Sequence, residues 1–210
     1  MGLKLVTDAE DWPITLEQAK AHLREDSSDF DEQIEAYIDA ATAYADGPGG
    51  YLGRALIDQT WDLYLDSFPC PRWEGSRRID AIEIPLPPLI EVIGVFYLDS
   101  SGTEQPVSDS NYTVDPASEP GRIVLKSGSS WPTIQQGANA VRVRFRAGYL
   151  DQTVSPAVDA VPGTIKAALL IMVGDLFSNR ESSVVGASVS KIPWSAEALL
   201  RRHRIYLSMA

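Results

Sequence analysis

Apolar positions recur every three or four residues at the two ends of the chain and every second residue in its middle. Thr15 to Gln18 has the form of a capping box, in which the threonine hydroxyl and the glutamine side chain satisfy orphan amides at a helix start. Leu16, Ala19 and Leu23 follow at helical spacing, which predicts a first helix over about residues 15–25. A second opens near Ser28 or Asp29, where Phe30, Ile34, Tyr37, Ile38, Ala41, Tyr44 and Ala45 form one apolar stripe with acids on the other face. It stops at Gly47-Pro-Gly-Gly50, which breaks the helix and leaves slack.

The period then changes to two. Trp61, Leu63 and Leu65 alternate with Thr60, Asp62, Tyr64 and Asp66, the pattern of a half-buried strand over residues 59–68. Further strands are expected at 82–84 and 90–98, the latter ending in the turn 99–102. Residues 112–114 and 122–126 flank a Pro- and Gly-containing turn and pair as a hairpin, and Val141, Val143 and Phe145 alternate with Arg142, Arg144 and Arg146. Five or six short strands suffice for a small antiparallel sandwich or barrel.

Helical spacing returns after Pro162, with Ile165, Leu169, Met172, Val173, Leu176 and Phe177 in one stripe to about Asn179. Residues 182–190 are small and uncharged and read as a mobile loop, and Ser195 is placed to cap a last helix reaching about Tyr206. The expected fold is α+β: a mostly helical bundle of two N-terminal and two C-terminal helices with an inserted β domain. The expected boundaries are 1–55 and 56–150 for the first helices and the insert, 151–181 for the helix that completes the bundle, and 182–210 for the loop and final helix. There is no internal repeat.

Charge sharpens this picture. The net charge of the 210 residues is -11, but residues 1–50 carry a balance of -9 while residues 180–210, with Arg180, Lys191, Arg201, Arg202 and Arg204 against Glu181 and Glu197, carry +3. Opposite ends of opposite sign suit a subunit that meets unlike neighbours on two faces, and equally a solvated acidic helix and a solvated basic tail. The lone Cys70 excludes an internal disulfide framework and a thiolate metal site. No run reaches eighteen apolar residues and the N-terminus lacks a signal-peptide core, so a cytoplasmic site of synthesis and no membrane partner are expected.

No catalytic constellation assembles. His22 and His203 are isolated, no metal-ligand spacing exists, and the acidic run 26–32 lacks the alternation, central glycine and terminal glutamate of a calcium loop. Gly47-Pro-Gly-Gly50 follows a helix, where a phosphate-binding fingerprint follows a strand. Cys70, between two prolines, has no activating neighbour in sequence. No catalytic, cofactor-binding or metal-binding residue is therefore assigned. Arg142, Arg144 and Arg146 share a strand face and could meet phosphates, but the acidic balance opposes that, and carboxylate partners in the sheet or on a neighbouring subunit are the better expectation.

Read in order, PITLEQAKAHLRED (13–26), DEQIEAYIDAATAYA (31–45), GRAL (53–56), QTW (59–61), FP (68–69), IPLPPLIEV (84–92), YLDSSGTEQ (97–105), Tyr112, WP (131–132), VRVRFRAGY (141–149), the helix from Pro162 to NRE (179–181), and LLRRHRI (199–205) resemble the head-tail connector proteins of long-tailed bacteriophages and gene transfer agents, also called adaptor or head-completion proteins. The resemblance spans nearly the whole chain, with Gly47-Pro-Gly-Gly50 as a departure. It implies a structural, non-enzymatic protein of the virion neck that forms a ring, by resemblance of twelve subunits, under the capsid portal. A tail-side stopper or tail terminator protein would bind its other face, and double-stranded DNA would pass through the channel without specific binding.

The same resemblance assigns portal docking to Trp194, Leu199, Leu200, Arg201, Arg202, Arg204, Ile205, Tyr206 and Leu207. Ser182, Ser183, Gly186, Ser188 and Ser190 become the hinge loop. An alternative is a tail-associated glycan- or surface-binding module using Trp61, Trp73 and Trp131. Exposed rings would favour it, whereas the alternation predicts Trp61 buried.

Overall fold

The computed structural model describes residues 1–70, 72–74, 77–79, 81–151, 158–179 and 193–206. In chain order the elements are β1 (Gly2–Thr7), α1 (Leu16–Leu23), α2 (Asp31–Ala45), β2 (Gln59–Leu65), β3 (Arg72–Glu74), β4 (Arg77–Ile79), β5 (Ala81–Ile84), β6 (Leu89–Leu98), β7 (Glu104–Pro106), β8 (Tyr112–Asp115), β9 (Gly121–Leu125), β10 (Val141–Ala147), β11 (Leu150–Asp151), β12 (Val158–Asp159), α3 (Gly163–Ser178) and α4 (Trp194–Arg201). The fold is α+β, and strand residues outnumber helical ones among those described, which corrects the expectation of a mostly helical chain. The strands missed in the sequence are two or three residues long or, for β1, so exposed that no alternation marks them. Two compact units result, one from residues 1–9 and 58–149 and the other from residues 10–57 and 150–206.

The first unit is built on a five-stranded antiparallel sheet, ordered β1-β2-β10-β6-β7, and a three-stranded sheet, β5-β9-β8. In β10 the valines and Phe145 are fully buried while the arginines alternate on the other face, as the two-residue period requires. Cross-strand neighbours Val143, Leu63 and Val95 continue the apolar layer, and Ile82, Ile84 and Ile123 supply the corresponding layer of the smaller sheet. The sheets approach closely where Gly121 of β9 meets Leu89 of β6; a Cβ on that glycine would lie 2.7 Å from the leucine side chain.

In the second unit, α3 packs against α1, α2 and α4. The capping box of α1 forms as predicted, Thr15 Oγ1 accepting from the Gln18 amide while the Thr15 amide donates to Gln18 Oε1. Arg24 ends α1 in the left-handed region at φ 57°, one residue short of the predicted end. The buried positions Ile34, Ile38, Ala41 and Ala45 of α2, with Ile165, Leu169 and Val173 of α3, are those of the two predicted stripes. Each large aliphatic group buried there is worth about 1.5–3 kcal/mol relative to exposure.

The segment after α2 is closely tied, which overturns the slack expected of Gly47-Pro-Gly-Gly50. The Gly47 amide donates to the Arg54 carbonyl at 2.8 Å, Tyr51 to Tyr44 at 2.8 Å and Leu52 to Ala45 at 3.2 Å. Asp46 Oδ1 accepts the Leu56 amide at 2.6 Å. These bonds bring Leu52, Arg54, Ala55 and Leu56 into the interior, and they draw the chain so close that a Cβ on Gly50 would sit 2.1 Å from the Asp46 carbonyl oxygen. Gly49, by contrast, has nothing within 4 Å of such an atom.

Gly50→Ala should therefore lower stability by about 2 kcal/mol or more, and Gly49→Ala should change it by less than about 0.5 kcal/mol. Denaturant midpoints of the two variants against the parent measure the difference.

Candidate docking surface

The chain following α3 returns to the helical unit as α4 and a short non-helical end. Trp194 is the first helical residue and Pro193 the cap, so the helix begins ahead of Ser195, and it stops at Arg201, well before the predicted end near Tyr206. The cause of the early stop lies in the turn after α2. The Ile205 amide donates to the Leu52 carbonyl at 2.8 Å and Arg54 Nε donates to the His203 carbonyl at 2.5 Å, bonds that need an extended end and not a further helical turn. His203 Nε2 also lies 2.7 Å from Thr164 Oγ1, at the start of α3.

Aromatic packing reinforces the join. Tyr44 and Tyr51 stack at 5.7 Å between centroids, the Arg204 guanidinium lies 4.5 Å from the Tyr51 ring centre, and the Tyr206 ring lies 4.7 Å from the same guanidinium. Burial, with the Tyr51 hydroxyl and the Glu197 carboxylate nearby, pushes the Tyr44 hydroxyl above its ordinary pKa. The stack ends at Tyr206, which is 76% exposed.

The residues predicted for docking thus take different positions. Leu200 is fully buried within its own unit and Leu199 and Ile205 are half-buried. Arg201 and Arg202 are exposed, Arg204 is exposed but stacked, and Trp194 at 82% and Tyr206 at 76% are the most exposed large apolar residues described. Leu207 lies outside the described residues, as do the hinge positions Ser182, Ser183, Gly186, Ser188 and Ser190. Sequence reasoning gave no role to Tyr51, Leu52 and Arg54, which hold the C-terminal end. Only GRAL (53–56), which contains Arg54, carried a signal, as one motif of the resemblance, and it did not name a partner.

The other sequence candidate was the arginine row of β10. Arg144 meets Asp62 through Nε and Nη2, both at 2.8 Å, and Arg142 reaches Asp62 at 3.3 Å while forking onto Glu104 at 2.7 and 2.9 Å. Arg146 joins Asp58 to Glu91. Carboxylates of the same sheet, with Asp58 just ahead of β2, therefore occupy all three guanidinium groups, and phosphate binding there would have to displace them. Asp62 is 3% exposed although it faces outward, because the arginines cover it. Burial alone would raise its pKa, but the Arg144 hydrogen bonds and the charges of Arg142 and Arg144 outweigh that and hold it below the usual carboxylate range.

Trp61 and Trp131 do not form an exposed platform. Trp61 is 7% exposed, with Nε1 donating to Gln59 Oε1 at 3.0 Å, and Trp131 stacks on Phe68 at 4.5 Å with planes 2° apart. Trp73 has no described side-chain position. Cys70 is exposed. Among the described residues no group of three His, Cys, Asp or Glu side chains is placed to hold a metal ion, and no helix is long and apolar enough to cross a membrane.

Comparison with known proteins gives two findings. Residues 13–85 match the family described as phage gp6-like head-tail connector protein, so the resemblance read from the sequence holds over that stretch. The whole fold is similar to a chain from the neck of an empty gene transfer agent particle computed with C6 symmetry, with a TM-score of 0.71, 22% identity, and coverage of 100% of this chain and 99% of that one. A chain from the virion of a native gene transfer agent particle gives a TM-score of 0.70 at 21% identity, with the same coverage. A chain from the neck of a native particle computed with C12 symmetry gives 0.66 at 20%, again over 100% and 99%. At these identities the likeness establishes a common fold. No curated protein matches the chain at a significant level.

Removing the Asp62 carboxylate tests the arginine row. Asp62→Asn should cost about 2–3 kcal/mol at pH 7, less than the 3–5 kcal/mol of a fully buried pair because water reaches Arg144. A carboxylate with a lowered folded-state pKa contributes stability that is fully present above the unfolded value and lost as pH falls through the folded one. The parent should therefore lose this contribution below about pH 4. Denaturant midpoints at pH 7 and pH 3 should show the gap between parent and variant narrowing on acidification.

Proposed function

We propose that the protein is a structural head-tail connector of a phage or gene-transfer-agent neck, with no catalytic role. Copies of it form a ring that docks beneath the portal, receives a tail-side stopper or tail terminator protein, and leaves a channel for double-stranded DNA. The observation that carries this reading is the end-to-end likeness to neck chains, one of them from a particle computed with C12 symmetry, joined to the family match over residues 13–85.

The physical properties of the chain support it. A ring requires two unlike lateral surfaces on each subunit, and the charge of this chain is divided between its ends. Channel passage requires that phosphates find no free cations, and on the β unit the arginine row is already paired. The glycan-binding alternative draws no support from a buried Trp61 or a Trp131 stacked on Phe68.

Within the C-terminal segment, the portal contact is assigned to the end that leaves the stack, with Tyr206 as its exposed aromatic anchor beside Arg204 and Ile205. Aromatic and arginine side chains dominate interface energetics when they enter a pocket on the partner. Leu200, predicted for the same role, would act by holding the segment in place.

Electron microscopy of the chain mixed with its portal should show a ring on one face of the portal assembly, and a portal that stays bare would overturn the reading. Tyr206→Ala should weaken docking on the order of tenfold or more in a pull-down titration while leaving the fold intact, since the side chain is mostly exposed. Unchanged binding would remove Tyr206 from the contact.

A further inference from the structure

Two helix faces of the second unit remain without a role. On α2, Glu32, Ala36, Asp39, Ala40 and Ala43 are all exposed, and their spacing puts them on one side of the helix, opposite the buried Ile34, Ile38, Ala41 and Ala45. From Arg24 to Arg54 the chain has no intervening lysine, arginine or histidine, yet it holds Glu25, Asp26, Asp29, Asp31, Glu32, Glu35, Asp39 and Asp46. Asp31 pairs with Lys20, while Glu32 and Asp39 make no ion pair among the described residues.

The second face is on α4. Trp194, Ala198 and Arg201 are exposed at intervals of four and three residues, with Arg202 following, whereas Ala196 and Leu200 turn inward. Arg201 and Arg202 likewise have no ion pair among the described residues. Both helices pack on α3, so one unit presents an acidic, alanine-lined face and a second face with one large apolar ring, on which Arg201 and Arg202 outweigh the exposed Glu197, itself 3.4 Å from the Tyr51 hydroxyl.

We infer that these faces meet between copies: α4 of one subunit docks on α2 of the next, with Arg201 and Arg202 against Glu32 and Asp39 and with Trp194 against the exposed alanines. The inference rests on the ring reading above and names the lateral contact that closes the ring. A closed ring is built from a heterologous contact, in which one patch meets an unlike patch on the neighbour, and the two faces are unlike in the required sense. Charge complementarity selects a second copy as the occupant. The acidic face repels nucleic acid, and the basic face finds on α2 carboxylates that nothing else described neutralises. Alanines at 36, 40 and 43 leave the backbone of α2 open to close approach, and a tryptophan 82% exposed in the isolated chain gains apolar contact there.

Site-directed crosslinking tests it on the full chain. In a Cys70→Ser background, which removes the exposed native thiol, Ala36→Cys with Ala198→Cys should give on oxidation a ladder of covalent oligomers extending beyond the dimer, and each cysteine alone should not. Rings visible by electron microscopy without such a ladder would overturn the inference and leave the connector reading standing. A parent chain that forms no ring on the portal would sink both.

Charge reversal supplies an independent readout. Arg201→Glu with Arg202→Glu should reduce ring yield on the order of tenfold, and adding Glu32→Arg with Asp39→Arg should restore it. An unchanged yield, or a loss that the second pair fails to restore, would reject the contact. So would lost affinity for portal with rings intact, which would give these arginines to the portal face.

Discussion

The helical unit depends on how tightly the chain can turn after α2. With no side chain at residue 50, the main chain passes close enough to the helix end for Tyr51 and Leu52 to donate back to it, and the same turn then points the Leu52 carbonyl and the Arg54 side chain at the returning C-terminal end. A few atoms therefore settle where α4 ends and which of its side chains stay outside. A methyl group at that position would disturb the helix end and the C-terminal segment together, although more than 140 residues separate them in sequence.

Charge plays two parts in this molecule. On β10 three arginines are engaged within the unit, held by carboxylates of neighbouring strands and by Asp58 just ahead of β2. On α2 and α4 charges of opposite sign stay exposed and unpaired among the described residues. The first arrangement orders a fold and the second leaves binding energy unspent. Sheets favour the first because cross-strand neighbours are about 5 Å apart, while the solvent faces of separate helices do not meet within one subunit.

Periodicity exposed the fold where burial was one-sided. The stripes of α2 and α3 and the alternation of β10 were legible because water on one face and core on the other impose a period. Strands β3, β4, β11 and β12 are too short to show one, and β1 lies on a sheet edge with little of it covered. The slack read into Gly47-Pro-Gly-Gly50 was wrong for a related reason: glycine permits a tight turn as readily as a loose one, and the choice rests on hydrogen bonds to Tyr44, Ala45 and Arg54 that no local pattern reveals. The residues of the C-terminal cluster stood out as a group through their composition, and the docking role given to them comes from the connector resemblance. Their division into buried Leu200, stacked Arg204 and open Trp194 and Tyr206 was not, because it depends on residues 51–54 folding under them.

The salt-bridged face of the β unit has a consequence for its electric field. Asp58, Asp62, Glu91 and Glu104 sit within bonding distance of Arg142, Arg144 and Arg146, so all but one negative charge cancels into small dipoles, and the field of a dipole falls off faster with distance than that of a lone ion. Counterions screen what is left within about 8 Å at physiological ionic strength. A polyanion passing a few water layers away would feel almost nothing from this surface, and it would release few counterions on approach. The surface would be slippery to nucleic acid through internal compensation, without the mutual repulsion that a uniformly acidic wall would impose on closely packed subunits.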